Sequence, residues 1–110
     1  STQEIFYVKN SKKYSIIDNS VLKANYPDLK VKKVSKTILD KYEYIGPVKF
    51  LDGTLIKKAD HKDVFVVSSG QKRLIPDANT FEILGYKWVN IIIVPNKVFN
   101  LHPTGSPLSL

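Results

Sequence analysis

Lys72, Arg73, Tyr86 and Trp88 are the residues of this chain whose types and spacing best suit ligand binding. Indole and phenol rings stack on the apolar faces of sugars, and a guanidinium group pairs well with phosphate or carboxylate. These residues therefore form a candidate site for carbohydrate or an anionic polymer. A structural role is the alternative, because aromatic residues just after a helix also fill a core and charged hairpin arms protect sheet edges.

No catalytic motif accompanies these residues. The sequence has no G-x-S-x-G, no phosphate-binding glycine loop and no H-E-x-x-H. It also lacks cysteine, which excludes thiol nucleophiles, disulfides and thiolate zinc sites. The segment Asp60-His61-Lys62-Asp63 lacks the ligand density of a calcium loop and the paired histidines of a zinc enzyme. We therefore expect a protein that is not an enzyme and that holds no metal or cofactor.

The candidate residues lie in a stretch, residues 63–88, that predicts a hairpin followed by a short helix. Residues 63–67 are rich in β-branched and aromatic side chains, and residues 72–75 resume an extended pattern. Between them, Ser69-Gly70 tolerates the positive φ angles of a tight reversal. The pattern is typical of two antiparallel strands.

A short helix is predicted directly after this hairpin. Pro76 ends the second strand, and Asp77 can accept hydrogen bonds from the first free amides of a helix. Phe81 and Leu84 share one helical face, and Gly85 suits a left-handed helix end. Tyr86 and Trp88 follow directly after this predicted helix end, a position from which aromatic residues often fill the core beneath the next strand.

The same pattern occurs earlier in the chain in a more degenerate form. At an offset of 59 residues, five pairs are identical: Phe6 and Phe65, Val8 and Val67, Lys13 and Lys72, Ile16 and Ile75, and Asp18 and Asp77. Asn10-Ser11 is then the first reversal. One more residue of offset aligns Asn25 with Gly85, so Asn25 is expected to end the first helix in a left-handed conformation. The sequence predicts two tandem repeats, residues 1–52 and 53–110.

Each repeat is expected to continue with an extended segment and a second helical turn. Residues 31–34 correspond to residues 91–94, and their alternating lysines predict a more exposed strand in the first repeat. Ser35 and Asn96 are expected to begin the second helices, and Gly46 and Gly105 to close the repeats.

A further strand is predicted at residues 54–57, after the turn dipeptide Asp52-Gly53. It would join the sheet of the second repeat. Its counterpart in the first repeat would lie before residue 1 or come from residues 106–110.

The predicted fold class is α+β, in which each repeat is a small antiparallel meander followed by a short helix, an extended segment and a helical turn. The apolar residues at matching positions should form the core: Phe6, Val8, Ile16, Leu22, Phe65, Val67, Ile75, Phe81 and Ile92.

The chain is basic, with 17 Lys or Arg against 10 Asp or Glu and a net charge of +7. Such a charge favours nucleic acid, anionic wall polymers or anionic lipid surfaces as partners. A lysine-rich solvated surface is the alternative explanation. No apolar run is long enough for a membrane span, and no signal-like segment opens the chain. Since residue 1 is serine, we expect a mature or excised fragment.

The second half of the chain resembles a tandem repeat of bacterial secreted and cell-surface proteins, often found beside wall hydrolase or peptidase domains. The family pattern is V-Y-x-V, a glycine turn, K-R-x-I-P, F-x-x-L-G-Y-x-W and a closing P-x-G-x-P. The matching residues are Gly70, Lys72, Arg73, Ile75, Pro76, Phe81, Leu84, Gly85, Tyr86, Trp88, Pro103, Gly105 and Pro107. The first repeat departs from the pattern, because Tyr14 and Ile17 replace arginine and proline and no tryptophan follows Tyr26.

The resemblance implies a noncatalytic, wall-associated accessory repeat at the cell surface. We therefore expect an extracellular binding or spacer module whose partner is a cell-wall polymer or carbohydrate. The alternative is a cytoplasmic nucleic-acid-binding domain, suggested by the high charge and by lysines near Tyr14 and Tyr26, including Lys32 and Lys33. The sequence leaves the oligomeric state open.

Overall fold

A computed structural model describes residues 4–110 and shows an α+β fold. The chain divides into two compact units, unit 1 (Ser1–Val48) and unit 2 (Lys49–Leu110). Each unit has its own sheet and its own short helices. No helix within the described residues is long and apolar enough to cross a membrane.

Unit 1 contains a three-stranded sheet and two short helices. The elements in chain order are β1 (Ile5–Lys9), β2 (Lys12–Ile16), α1 (Asn19–Asn25), α2 (Lys36–Leu39) and β3 (Glu43–Pro47). The strand order is β1-β2-β3, with β1 antiparallel and β3 parallel to β2. Within residues 4–48, β1 is therefore an edge strand.

Unit 2 contains a four-stranded sheet. Its elements are β4 (Leu55–Lys58), β5 (Phe65–Ser68), β6 (Gln71–Leu74), α3 (Ala78–Ile83), a 3-10 turn (Trp88–Asn90), β7 (Ile91–Val94) and α4 (Asn96–Phe99). The strand order is β6-β5-β4-β7, and β7 runs parallel to β4. The strand β4 confirms the extended run predicted near residues 54–57.

Both predicted hairpin reversals are confirmed. Asn10 and Ser11 have φ angles of 54° and 65°, and Ser69 and Gly70 have φ angles of 53° and 78°. Two consecutive residues with positive φ form the turn whose twist matches that of the flanking strands. Asparagine, serine and glycine at these positions therefore fix the register of β1 with β2 and of β5 with β6.

Both predicted helix caps are confirmed. The Asp18 carboxylate accepts a hydrogen bond from the Ser20 amide at 3.0 Å, and Asp77 accepts one from the Thr80 amide at 2.7 Å. The bonds from Thr80 lower the pKa of Asp77, because they stabilise its ionised form. Each carboxylate satisfies an amide that has no partner within its own helix.

The two helices end differently. Gly85 has a φ angle of 85°, as predicted for a left-handed end after α3. Asn25 was expected to match it, and that prediction is wrong: Asn25 lies inside α1, and the cap residue Tyr26 has a φ angle of −133°. The cap residue Tyr26, with a ψ angle of 58° and its amide bonded to the Leu22 carbonyl, ends α1 without a left-handed turn at Asn25.

The tandem repeat extends to backbone hydrogen bonds. In unit 1 the Val48 amide donates to the Ser15 carbonyl at 2.8 Å, and in unit 2 the Leu108 amide donates to the Leu74 carbonyl at 2.9 Å. Likewise, Lys13 pairs with Tyr44 and Lys72 with Thr104, both in parallel. The strand β3, which the sequence did not predict, is thus the counterpart of the C-terminal segment.

Two predictions about extended segments are wrong. Residues 31–34 are exposed and form no strand, whereas their counterpart β7 pairs with β4. Residues 106–110 do not complete the sheet of unit 1, because Leu108 is hydrogen-bonded to β6 of unit 2. The backbone hydrogen bonds of β7 go to β4. Residues 31–34 have no equivalent of β4 beside them in the described part of unit 1, so their backbone groups have no strand to pair with.

The sheet of unit 2 is covered on both faces. Because directly paired residues point to the same side, Leu55 and Val66 lie on one face and Ile56 and Phe65 on the other. The first face packs in a cluster that we call the Leu55 cluster: Leu55, Val66, Ile75 and Phe81, with Val64, Tyr86, Ile91 and Leu108 around them. The second face packs against α4, where the Phe65 and Phe99 rings meet edge to face at 5.1 Å.

The predicted core is only partly correct. Val67, Ile75 and Phe81 are buried. Val8 is exposed, which contradicts its prediction as a core residue. The remaining predicted core residues are half-buried: Phe6, Ile16, Leu22, Phe65 and Ile92. All four core residues predicted in unit 1 are more exposed than expected, because no strand of the described residues 4–48 lies between β1 and residues 31–34 to cover them.

Candidate functional site

Strand alternation separates Lys72 from Arg73. Lys72 pairs with Val67 across β5 and β6, and Arg73 pairs with Val66. Successive side chains of a strand point to opposite faces, so the two basic residues lie on opposite sides of the sheet. Arg73 shares the face of the Leu55 cluster, and Lys72 faces α4.

Lys72 is buried rather than presented to a ligand. Its side chain is 5% exposed, its Nζ donates to the His102 carbonyl at 2.6 Å, and the ammonium lies 4.4 Å from the centroid of the Phe99 ring. Burial lowers the pKa of Lys72, and the nearby Lys58 charge lowers it further. These contacts tie β6 to the segment after α4, which is a structural role.

Arg73 holds the C-terminal segment on the opposite face. Its Nε donates to the Ser106 carbonyl at 2.8 Å, and its Nη2 lies 3.4 Å from the Pro107 carbonyl. These bonds orient the planar guanidinium group, which carries five N–H donors in all. Arg73 is half-buried, so its placement still allows contact with a ligand on this face.

Tyr86 and Trp88 meet on the ring of Phe81. The Trp88 indole stacks on Phe81 with a centroid distance of 3.9 Å and an angle of 20°, and the Tyr86 ring lies 5.6 Å away. Phe81 is only 1% exposed, whereas Trp88 is 49% exposed. The indole is thus supported from within the core and also presented to solvent.

Backbone geometry after α3 produces this arrangement. Gly85 reverses the chain, and the Tyr86 amide donates to the Phe81 carbonyl at 3.2 Å. Lys87 is extended, and the following 3-10 turn is closed by the Asn90 amide on the Lys87 carbonyl at 3.0 Å. Two aromatic residues separated by one position can therefore both contact Phe81.

Three of the four predicted site residues thus share one face of unit 2, namely Arg73, Tyr86 and Trp88. No family model, curated protein or solved structure matches this chain. The family resemblance stays a prediction, and the candidate site rests on the geometry of these residues.

His102 is a buried residue that the sequence analysis missed. Its Nε2 accepts a hydrogen bond from the Phe50 amide at 3.1 Å, so Nδ1 carries the proton and donates to the Gly70 carbonyl at 2.9 Å. Burial lowers the pKa of His102, and the charges of Lys49 and Lys72 lower it further against the opposing effect of the bond to Gly70. The sequence shows no signal for this role, since both partners are more than 30 residues away.

The segment around His61 is a polar connector in the structure. His61 and its neighbours Asp60 and Lys62 are exposed, and the Lys57 ammonium donates to the His61 carbonyl at 2.7 Å. Over residues 4–110, no cluster of three His, Asp or Glu side chains could hold a metal ion.

The aromatic residues of unit 1 contact one another. Tyr7 stacks on Tyr26 with a centroid distance of 4.4 Å and an angle of 5°, and its ring lies 6.3 Å from that of Tyr14. Burial raises the pKa of Tyr26, and Tyr7 raises it further. Lys32 and Lys33 are exposed. Unit 1 therefore presents lysines to solvent while its tyrosine rings pack together.

Proposed function

We propose that this protein is a noncatalytic binding module of a bacterial surface or wall-associated protein, and that unit 2 binds a carbohydrate or anionic wall polymer through Trp88, Tyr86 and Arg73. The observation that carries the proposal is the Trp88 indole, which is 49% exposed although it stacks on a buried ring. Sugars bind to exposed aromatic faces of this kind because their C–H faces are apolar and their edges are polar.

Immobilisation of the indole favours binding. A tryptophan that swings freely in solvent loses rotamer freedom when a ligand orders it, at a cost of about 0.5–1.5 kcal/mol for such a side chain. Trp88 is already held against Phe81 at 3.9 Å. Much of this ordering cost is therefore met when the protein folds, which leaves more of the stacking energy for the ligand.

The charge of unit 2 suits an acidic polymer. Lys49–Leu110 carries eight Lys or Arg and five Asp or Glu, which gives a net charge of +3. Lys87 is exposed next to Trp88, and the Arg73 guanidinium lies on the same face of the sheet as Tyr86. Phosphate or carboxylate groups along a wall polymer would be attracted to these cations.

The alternative is nucleic-acid binding by unit 1, which exposed Lys32 and Lys33 favour. Base stacking contributes about 1–3 kcal/mol per ring in single-strand binders, but it needs an open aromatic face. Tyr7, Tyr14 and Tyr26 contact one another instead. We therefore rank this function second. A salt-sensitive gel shift with DNA or RNA that Lys32→Glu and Lys33→Glu abolish would support the alternative over wall binding.

We expect Trp88→Ala to weaken retention of the protein on purified bacterial cell walls by about tenfold, because the stacking platform is lost. Pull-down at increasing wall concentration gives the apparent dissociation constant. Val89→Ala is the matched control, since Val89 is the adjacent and more exposed apolar residue. Trp88→Phe should restore part of the binding.

Unchanged retention in an Arg73→Ala, Trp88→Ala double variant would contradict the proposed site. Circular dichroism of each variant checks that unit 2 is folded, so that lost retention can be assigned to the site. Digested wall fractions then separate the two polymer classes: competition by neutral glycan fragments indicates sugar stacking, and competition by anionic polymer indicates charge recognition.

A further inference from the structure

An apolar groove of about 640 Å³ opens in unit 1, a volume within the range of ligand sites in proteins. One wall is the edge strand β1 from Ile5 to Val8, and the other is formed by residues 29–34. Ile16, Leu22 and Leu39 also line it. In the described part of unit 1, residues 29–34 belong to no strand and β1 pairs only with β2. Neither wall of the groove is therefore paired with a strand on the side that faces the groove.

The groove corresponds position by position to the surroundings of β4 in unit 2. Five residues of the Leu55 cluster have repeat counterparts that line the groove: Val64 and Ile5, Val66 and Tyr7, Ile75 and Ile16, Phe81 and Leu22, and Ile91 and Val31. Leu55 itself, the β4 residue among them, has no counterpart within residues 4–48. The groove is therefore the position that a β4-like strand would fill.

Sheet topology supports the same conclusion. In unit 2, β4 lies between β5 and β7. In unit 1, the counterparts of those two strands are β1 and residues 31–34, and no described strand lies between them. The counterparts of these cluster residues are correspondingly more open: Tyr7, Ile16 and Leu22 are half-buried, and Val31 is exposed.

The edge of β1 carries the backbone groups that strand pairing needs. Lys9 and Lys12 flank the two-residue turn, so Ile5, Tyr7 and Lys9 direct their N–H and C=O groups toward β2. Phe6 and Val8 then direct theirs toward the groove. In unit 2 the counterpart Val67 donates to the Thr54 carbonyl at 2.9 Å and accepts from the Gly53 amide at 2.7 Å.

We propose that unit 1 binds, in this groove, an extended peptide strand whose apolar residues are followed by acidic ones, antiparallel to β1 and in the position that β4 occupies in unit 2. Addition of a strand to an open sheet edge is a general mode of peptide recognition, in which the backbone supplies affinity and the side chains supply specificity. This inference concerns unit 1 and does not depend on the Trp88 site.

The lysines that line the groove indicate which side chains the bound strand should carry. In unit 2, Lys57 and Lys58 of β4 pair with Ile93 and Val94 of β7. Lys33 is the repeat counterpart of Ile93, the residue that pairs with Lys57, and Lys30 and Lys32 line the groove beside it. Glu4 is the acidic residue among the lining residues. The partner should therefore have apolar residues where β4 has Leu55 and Ile56, followed by acidic residues.

The test uses the whole 110-residue chain and a labelled peptide with the sequence of residues 52–59, changed by Lys57→Glu and Lys58→Glu. We expect fluorescence anisotropy to show saturable binding. The unchanged lysine peptide should bind about tenfold more weakly, because like charges face each other across paired strands. Hydrogen exchange followed by NMR should show at least about tenfold slower exchange at the Val8 amide, whose counterpart in unit 2 donates to β4.

Two arms test the backbone geometry and the groove itself. N-methylation of the peptide at Gly53 removes the donor that would bond to the Val8 carbonyl, and it should abolish binding. Val34→Asp should weaken binding, whereas Ile38→Asp should not: Val34 lines the groove and Ile38 does not, although the two are 50% and 48% exposed.

The proposal is overturned if the acidic peptide does not bind, if it binds without slowing exchange at Val8, or if the N-methylated peptide binds equally well. Equal weakening by Val34→Asp and Ile38→Asp would also overturn it, because the peptide would then be attached to the surface by charge alone. Loss of cell-wall retention in the Trp88 variant would affect none of these outcomes.

Discussion

Replacing Phe81 with alanine is expected to lower the free energy of unfolding of unit 2 by about 3–5 kcal/mol, the usual cost of deleting a buried phenylalanine ring. Phe81 is 1% exposed, belongs to the Leu55 cluster and supports the rings of Tyr86 and Trp88. The substitution thus leaves a cavity and also removes two aromatic contacts, so we expect a cost near the upper end of this range.

Urea unfolding followed by far-ultraviolet circular dichroism and by tryptophan fluorescence measures this effect. Trp88 is the single tryptophan of the chain, so its emission reports on unit 2. Ile83→Ala is the matched control, because Ile83 lies on the same helix but is mostly exposed. We expect that control to change stability by less than about 0.5 kcal/mol. A Phe81→Ala cost no larger than the control would refute the assigned core.

Phe81→Ala should also weaken cell-wall binding if Trp88 is the platform, since the indole would lose its support. Trp88→Ala removes the platform and leaves Phe81 in place. We expect both variants to lose cell-wall binding, but only Phe81→Ala to lose much stability. That result would identify Phe81 as the residue that supports the indole and Trp88 as the residue that contacts the ligand. This comparison links the fold of unit 2 to its proposed function.

The local signals in the sequence predicted the structure well. Asp18 and Asp77 cap helices, and Asn10-Ser11 and Ser69-Gly70 form the reversals, because each of these features depends on residues a few positions apart. The prediction of two repeats rests on the same features, because the reversals and the capping aspartates recur 59 residues apart. Such signals placed β1, β2, β5 and β6 and the helices after them.

Features that depend on distant partners were not predicted. Residues 31–34 have a strand-like composition but pair with no strand in the part of the chain that the structure describes. The strand β3 forms because its backbone meets β2, some 30 residues away in the sequence. Lysine usually lies at the surface, so its type gave no indication that Lys72 would be buried between the His102 carbonyl and the Phe99 ring. Three of the four site residues nevertheless share one face.

Acidification is expected to destabilise unit 2 through His102. The folded protein holds His102 neutral, because its Nε2 accepts a hydrogen bond from the Phe50 amide at 3.1 Å. A proton on Nε2 would make it a donor facing the N–H of Phe50, and this hydrogen bond would be lost. Its pKa is lowered in the folded state by burial first, whereas in the unfolded chain it returns to about 6.5. Below pH 6.5 the unfolded state therefore binds more protons than the folded state.

The stability that His102 contributes is thus fully present above pH 6.5 and is lost as the pH falls from 6.5 toward the lowered folded pKa. One such proton gives a slope of at most about 1.4 kcal/mol per pH unit. Asp77 also has a lowered pKa, but its contribution is lost only near and below its ordinary value of 3.8. Urea unfolding curves between pH 8 and pH 4.5 therefore cover the titration of His102 without that of Asp77, and comparison with a His102 variant assigns the slope.

His102→Gln should remove this pH dependence. It should also lower stability at pH 8, because the flexible amide does not hold its acceptor and donor where the ring nitrogens lie and the stacking of the imidazole on Phe50 is lost. The matched control is His61→Gln, which makes the same substitution at the exposed histidine. If the slope between pH 6.5 and pH 4.5 persists in His102→Gln, the buried imidazole is not the titrating group. If it disappears in His102→Gln but not in the control, protonation of the imidazole that bonds to Phe50 and Gly70 is what destabilises unit 2.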